Sequence, residues 1–432
     1  MLGSEDKLTR DSYYIASAPQ RVPQAALQAT IEVDVGIVGA GLAGLSAALE
    51  LRQRGYSVVL LEARQIGWGA SGRNGGQVIA GLACDIGVIE RQLGAASART
   101  VWNMTLEAIE LIHQRRAAHA IDCDWQAGFL SAAVNPRKGR ALQEWVDDMA
   151  DRYRHEQQFI PAQQMPAWIE SRRFTAAAYD PKSGHLHPLK YTLGLAQAAE
   201  QAGVVIHENT AALRIDRTPV PTIHTAQGSV RCKSILLAGN VYLEGLAPEL
   251  APRIMPVGTY IVASAPLDAA RATALIPTRA AICDTNFVLD YFRLSADDRV
   301  IFGGRVSYST ATPINLAPSM RQRMLAVFPQ LADVPVEYAW GGYVDITMNR
   351  APDFGRLSGP GGTNIYYLQG FSGHGLALTG LAGKLVAEAI HGDASRFDVF
   401  AQLKHHNFPG GKLLRTPGLV AAMAWYRLRD LL

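Results

Sequence analysis

Three glycines at positions 39, 41 and 44 have the spacing G-x-G-x-x-G, with Leu42 and Ala43 between the last two. An acid, Glu62, followed by Ala63 and Arg64, stands further along the chain. Gly39 permits a tight turn, Gly41 lets a diphosphate approach the backbone, and Gly44 allows a helix to pack closely behind. A helix starting there offers backbone N–H groups to phosphate oxygens. Glu62 is suited to accept from ribose hydroxyls and would repel an additional 2′-phosphate. These residues predict a dinucleotide site.

Other residues invite chemistry with less specific patterns. Gly69, Ala70, Ser71, Arg73, Asn74, Gly75, Gly76 and Gln77 form a glycine-rich run. It is either a surface loop or a wrapping of amides and a hydroxyl around a long ligand. Arg293 and Arg305 are candidates to hold a substrate carboxylate in a bidentate grip, against the ordinary reading of arginines as solvated surface groups. Tyr291 either walls a pocket or packs in a strand. His374, between Gly373 and Gly375, is either a polar group facing a ligand or a cap of its turn.

The elements around these residues are legible from periodicity. Val33–Val38 is an apolar, β-branched run of the kind found in strands buried on both faces, and Leu42–Arg54 is a helix stopped at Gly55. Ser57–Leu61 is the next strand, which completes one βαβ unit. Helices are predicted over Ala96–Ala118, Arg137–Arg154 and Tyr191–Gln201, with strands over Val204–Ile206 and Ser234–Leu237 running into Ala238-Gly239. From Arg253 to about Tyr338 strand-like pieces follow one another, including Thr259–Ala263, Phe287–Leu294 and Val300–Gly303. A last strand, Ile365–Leu368, meets Gly370–Gly375 and a helix from Leu376 to about Ile390. Leu419–Leu432 has an amphipathic helical pattern suited to core packing or a subunit contact.

The chain has 432 residues, 41 basic and 38 acidic, with a formal charge of +3. That balance gives no field to recruit nucleic acid or an acidic membrane. Cys84, Cys123, Cys232 and Cys283 lack metal-ligand spacing and read as buried thiols of a reducing compartment. The first thirty residues have no apolar core of a secretory signal, so a cytoplasmic location is expected. Val35–Leu49 is too short for the roughly twenty residues of a membrane span.

The glycine triplet, Gly67–Gln77, Gly184–Pro188, Ala238–Asn240 and Phe371–Gly375 together resemble the D-amino acid oxidase and glycine oxidase superfamily of flavoproteins. Within it the chain is similar to the bacterial gamma-glutamylputrescine oxidase branch, from Ser12-Tyr13-Tyr14 to Phe408-Pro409-Gly410-Gly411. The resemblance implies a mixed α/β and α+β fold. A discontinuous Rossmann-like FAD-binding domain, residues 31–83, 184–245 and 340–395, would join a β-rich antiparallel substrate domain, residues 84–183 and 246–339, with a C-terminal extension over 396–432.

It also implies that FAD lies along the sites above, with Ala238, Gly239, Gly342, Gly373, His374, Gly375 and Leu376 near it and Arg73 and Asn74 serving it. The turn before the last long helix would stabilise negative charge on the reduced flavin, and His374 would donate to flavin or substrate or carry positive charge. The expected cofactor is noncovalent, because no cysteine follows Cys283 and no histidine lies in the glycine-rich loop. Covalently flavinylated relatives use such residues.

The expected reaction is oxidation of a small amine or amino acid by hydride transfer, with imine hydrolysis and O2 as acceptor giving H2O2. The alternatives are an L-pipecolate or other secondary-amine oxidase and a quinone-linked dehydrogenase. No lysine occurs between Lys233 and Lys384. The oxygen-activating lysine of sarcosine oxidases therefore has no counterpart there, and His374 or an arginine would have to supply the charge.

Overall fold

In the computed structural model, residues 5–243, 245–307, 315–359, 361 and 364–409 are described. The amphipathic segment Leu419–Leu432 lies outside them. Among the described residues the strands form two sheets.

The first sheet begins where the sequence pattern places it. Thr30–Val38 is its central strand, flanked in parallel by Val58–Leu61 and Ser229–Leu237. Ile365–Gln369 continues the parallel set beyond Ser229–Leu237, and Val205–His207 continues it beyond Val58–Leu61. Asp353–Arg356 adds an antiparallel edge, and a small hairpin of Arg214–Asp216 and Thr222–His224 pairs with Ser229–Leu237. Val35 and Ile37 are completely buried, as a near-continuous apolar run requires in a parallel strand covered on both faces.

Helix Leu42–Gln53 covers this sheet, and helix Gly375–His391 packs directly against it. A Cβ on Gly383 would stand 2.6 Å from Ala47 N and Ser46, so the absent side chain sets the interhelical approach. Ser46 Oγ donates to Gly380 O at 2.5 Å, and Arg115, from the long helix Ile86–Ala118, reaches Ser46 Oγ at 2.8 Å and Glu50 at 3.1 Å. The long helix begins ten residues before the pattern predicts, because Gly94, at φ +83°, bends the backbone between two helical stretches. Gly94 breaks the amphipathic spacing and hides the first turns from a sequence reading.

The second sheet has nine strands and is antiparallel except where Ala281–Asp284 runs beside Gln126–Ala133. Its long strands are Ile254–Ser264, Val300–Ser307, Val336–Thr347 and Ala176–His185. The expected domain boundary at residue 340 falls inside Val336–Thr347, which pairs along its length with Ile254–Ser264. Only Tyr291–Leu294 of the expected strand Phe287–Leu294 is extended. Asp284 N donates to Asp290 O at 2.8 Å, closing the hairpin and leaving Phe287–Leu289 in its loop.

The N-terminal segment is not a tail. Helices Glu5–Arg10 and Tyr13–Ser17 carry Leu8, Tyr13 and Tyr14 into the core, where Tyr14 packs edge-on against Trp340 at 5.1 Å. Ser12 caps the second helix by accepting from Ile15 N at 3.2 Å.

Candidate active site

The strands Thr30–Val38, Val58–Leu61, Ser229–Leu237 and Ile365–Gln369 all end at one edge of the first sheet. The residues after them, Gly39, Glu62, Ala238 and Phe371, line one cavity of about 1120 Å³ that extends to the second sheet at Val257, Thr259 and Gly342. Ligands of open α/β sheets bind outside such carboxyl ends. The volume exceeds the roughly 300–1,000 Å³ of a pocket for one drug-sized molecule.

The βαβ turn is built as its residues require. Gly39 has φ +107°, a conformation that L side chains rarely adopt. A Cβ on Gly44 would lie 2.0 Å from Gly39 O, so Gly44 is off the cavity wall and serves close packing of helix on turn. Glu62 accepts from Ala40 N and from Arg64 N, each at 2.9 Å, and burial pushes its carboxyl above the usual range. Ser71 Oγ accepts from Leu42 N at 2.9 Å, so the glycine-rich loop folds back onto the helix start. Gly41, Leu42, Ala43, Ala63, Arg64, Gly69, Ala70, Ser71, Gly75, Gln77 and Gly239 stand with these on the cavity wall.

Arg73 and Asn74 also line the cavity, but their donors are engaged by the protein. Arg73 bonds Glu5 at 2.9 Å, Gly341 O at 3.1 Å and Tyr242 OH at 3.2 Å, and stacks over Trp68 at 4.6 Å. Asn74 donates to Ala70 O and Ser71 O and accepts from Gly76 N at 2.8 Å, which shapes its own loop. Gly76 is off the wall, because a Cβ there would meet Leu186 O at 2.2 Å.

Arg293 corrects the sequence reading. Its side chain is 3 % exposed, lies off the cavity wall, and donates to Gly75 O at 2.8 Å, Tyr14 OH at 3.0 Å and Leu186 O at 3.2 Å. A guanidinium so engaged is a strut behind the Gly75–Gln77 loop and has no fork to offer a substrate. Arg305 pairs in the sheet opposite Tyr260, and its side chain lies outside the described set. Tyr291 does face the cavity, with its ring fitted over Gly75 and Gly303, where a Cβ would come within 2.5 Å and 2.1 Å of it. Burial pushes its phenol far up, so the ring is neutral.

At the far end Phe371–Gly375 turns into the helix Gly375–His391, and Gly373, His374, Gly375 and Leu376 line the cavity. His374 is the residue before the first helical turn, yet its ring makes no capping bond. Burial, aided by the Arg350 guanidinium, pushes the imidazole down to about 4. With its imidazole so depressed, His374 is a neutral donor or acceptor at neutral pH, and Arg350 is a fixed cation nearby. The turn is held by Asp345, which accepts from Gly370 N through its carboxylate and from Ser372 N at 3.0 Å through its carbonyl. Burial pushes Asp345 up to about 6.

Glu5, Asp345, Arg350, Cys283 and Phe408 are wall residues absent from the expected set. Asp345 lies in the strand Val336–Thr347 and Arg350 in the turn after it. Nothing local in a polar N-terminus marks Glu5. The half-buried Glu62 carboxylate beside a glycine turn, the gap that Gly41 leaves against Ser71 and the helix end at His374 together fit an elongated dinucleotide such as FAD. Among the described residues no group of three or more His, Cys, Asp or Glu could hold a metal, and no helix is long and apolar enough to cross a membrane.

Comparison with known proteins agrees with this geometry. The family of FAD dependent oxidoreductases matches residues 34–389. Gamma-glutamylputrescine oxidoreductase of Escherichia coli (strain K12) is 42 % identical over 421 residues, covering 97 % of this chain and 98 % of that protein. The probable oxidoreductase OrdL of Haemophilus influenzae is 37 % identical, covering 97 % of each chain. Among solved structures, glycine oxidase from Geobacillus kaustophilus superposes with a TM-score of 0.72 at 18 % identity, covering 88 % of this chain and all of that one. The expected oxidase-type α/β fold and flavin cofactor are borne out, and the chain belongs to the family of FAD dependent oxidoreductases.

Proposed function

We propose that this protein oxidises the free primary amine of an acylated diamine, gamma-glutamylputrescine, to the aldehyde. Overall, R–CH2–NH2, H2O and O2 give R–CHO, NH3 and H2O2. FAD, when bound, supplies the two-electron acceptor, at N5. The observation that carries the reading is a set of uncharged wall residues, Gln77, Ile79, Val257, Thr259, Cys283 and Tyr291.

Hydride loss from the carbon beside nitrogen needs the nitrogen lone pair, so the deprotonated amine is the reactive form. An uncharged wall disfavours ammonium, because an unpaired cation is costly to desolvate. Tyr291 and Cys283 both keep their protons, as burial pushes each far up. Tyr291 fixes the width of the slot against Gly75 and Gly303. The Gly375–His391 helix directs its positive end at the cavity, where negative charge gathers during reduction. Arg293, the expected grip for the carboxylate of an amino acid substrate, is engaged elsewhere. The likeness to the Escherichia coli enzyme adds the substrate class.

The test is anaerobic mixing of the yellow holoenzyme with gamma-glutamylputrescine, putrescine, sarcosine and L-pipecolate, followed by air. The expected result is fastest bleaching of the flavin by gamma-glutamylputrescine, then one peroxide per aldehyde. Bleaching by L-pipecolate or sarcosine alone would overturn the proposal, and reoxidation by a quinone but not by air would overturn its acceptor.

A further inference from the structure

Glu5 is 1 % exposed and stands on the wall of the cavity. Its two carboxylate oxygens are treated differently by the protein. Oε2 accepts from Arg73 Nη2 at 2.9 Å and from Tyr242 OH at 2.7 Å. Oε1 is buried and has no hydrogen-bond partner among the described residues. An unmatched buried acceptor is costly, and native folds supply a donor to nearly every such atom. Arg73 offsets the carboxylate charge, so Oε1 is suited to accept from an uncharged O–H or N–H group.

The segment that carries Glu5 is anchored, which fixes where Oε1 stands. Helix Glu5–Arg10 packs against the strand Val336–Thr347, and Leu8 is buried in a core cluster with Leu130 and Tyr260. Thr9 Oγ1 donates to Glu5 O at 3.2 Å, and Tyr13 OH donates to Asp297 at 2.5 Å. The partners of Glu5 are fixed as well. A Cβ on Gly69 would stand 3.6 Å from the Tyr242 ring, and one on Gly342 would stand 3.6 Å from the Arg73 guanidinium carbon. Glu5 is therefore held against the glycine-rich loop and the second sheet by residues that belong neither to the βαβ turn nor to the Phe371–Gly375 turn. It also precedes residues 34–389, the span shared with the family.

We propose that Glu5 is a cofactor-holding residue whose Oε1 accepts from a ribityl hydroxyl of FAD, which makes the N-terminal segment a wall of the cofactor channel. The diphosphate of FAD is anionic and is repelled by a carboxylate. Glu62 is placed for the ribose hydroxyls beside the βαβ turn, and the flavin ring belongs to the Phe371–Gly375 end. The ribityl chain joins diphosphate to ring and carries uncharged O–H donors, which match a buried carboxylate oxygen in need of one. A hydrogen bond to an ionised acceptor is about twice as strong as a neutral one. This holds for any amine the protein oxidises, since only the cofactor is involved.

The test uses the full-length chain as wild type, Glu5→Gln and Glu5→Met, each stripped of flavin and titrated with FAD and with its 2′-, 3′- and 4′-deoxyribityl analogues. Binding is read from flavin fluorescence. In the wild type at least one analogue should bind about tenfold more weakly than FAD, equivalent to about 1.4 kcal/mol. Glu5→Met removes the acceptor, so FAD and that analogue should bind this variant within about threefold of each other. Glu5→Gln keeps an amide oxygen for Arg73 and Tyr242, and its discrimination should fall to about half the wild-type ratio or less, because the charge is gone. A structural role alone would weaken FAD and its analogues in parallel, and a ratio unchanged from the wild type would overturn the proposal. So would a wild type that binds all the analogues as tightly as FAD. If Glu5→Met does not fold, the same ratio in Glu5→Gln decides.

Discussion

Replacing Arg293 with methionine separates a strut from a substrate grip. Methionine fills much of the volume but donates nothing, so Gly75 O, Tyr14 OH and Leu186 O, all within 3.2 Å of the guanidinium, lose a charged donor in a buried place. Each unsatisfied buried group costs about 1–3 kcal/mol. Three such groups together cost about 3–5 kcal/mol, a large share of a typical 5–15 kcal/mol stability. The slack falls on Gly75–Gln77, so flavin retention suffers as well. The expected result is a holoenzyme destabilised by about 3–5 kcal/mol in urea titration and a flavin Kd raised by about tenfold or more, equivalent to about 1.4 kcal/mol. KM of the flavin-saturated enzyme should change much less. A variant that keeps its urea midpoint and flavin affinity while KM rises tenfold would refute the strut and restore Arg293 as a grip.

Two further outcomes follow from the same geometry. Gly44→Ala places a methyl group 2.0 Å from Gly39 O, so helix and turn must separate; flavin per chain should fall about tenfold, measured by absorbance ratio on protein that retains its far-UV spectrum. His374 has a depressed pKa near 4, so it is protonated only below that value and is neutral throughout pH 6–10. The rise of kcat/KM with pH should then report the substrate amine, and His374→Gln should lower its height without moving its midpoint; a shift of the midpoint by one unit or more would contradict a neutral imidazole.

The βαβ unit was legible because each of its residues acts locally. Apolar residues of Val33–Val38 make the strand, three glycines make the turn, and Gly55 ends the helix. The turn at Phe371–Gly375 was legible for the same reason. Arg293 was not, because its partners Gly75, Tyr14 and Leu186 are far away in sequence, and no pattern around Asp290–Leu294 distinguishes a buried guanidinium from one facing a ligand. Arg73 shows the same limit: its place in a glycine-rich loop suggests a ligand, while Glu5, Tyr242 and Gly341 take its donors. Arg350 differs again, since its left-handed backbone comes from the hydrogen bonds of Thr347 and Ala351 and leaves no mark in composition.

Glu5 and Phe408 stand on the wall of one cavity, 403 positions apart in a chain of 432. During synthesis the glycine turn emerges well before the strand Ile365–Gln369 and the Phe408 segment. A polypeptide that stops before residue 365 would therefore have the phosphate cradle and no chamber to enclose what it grips.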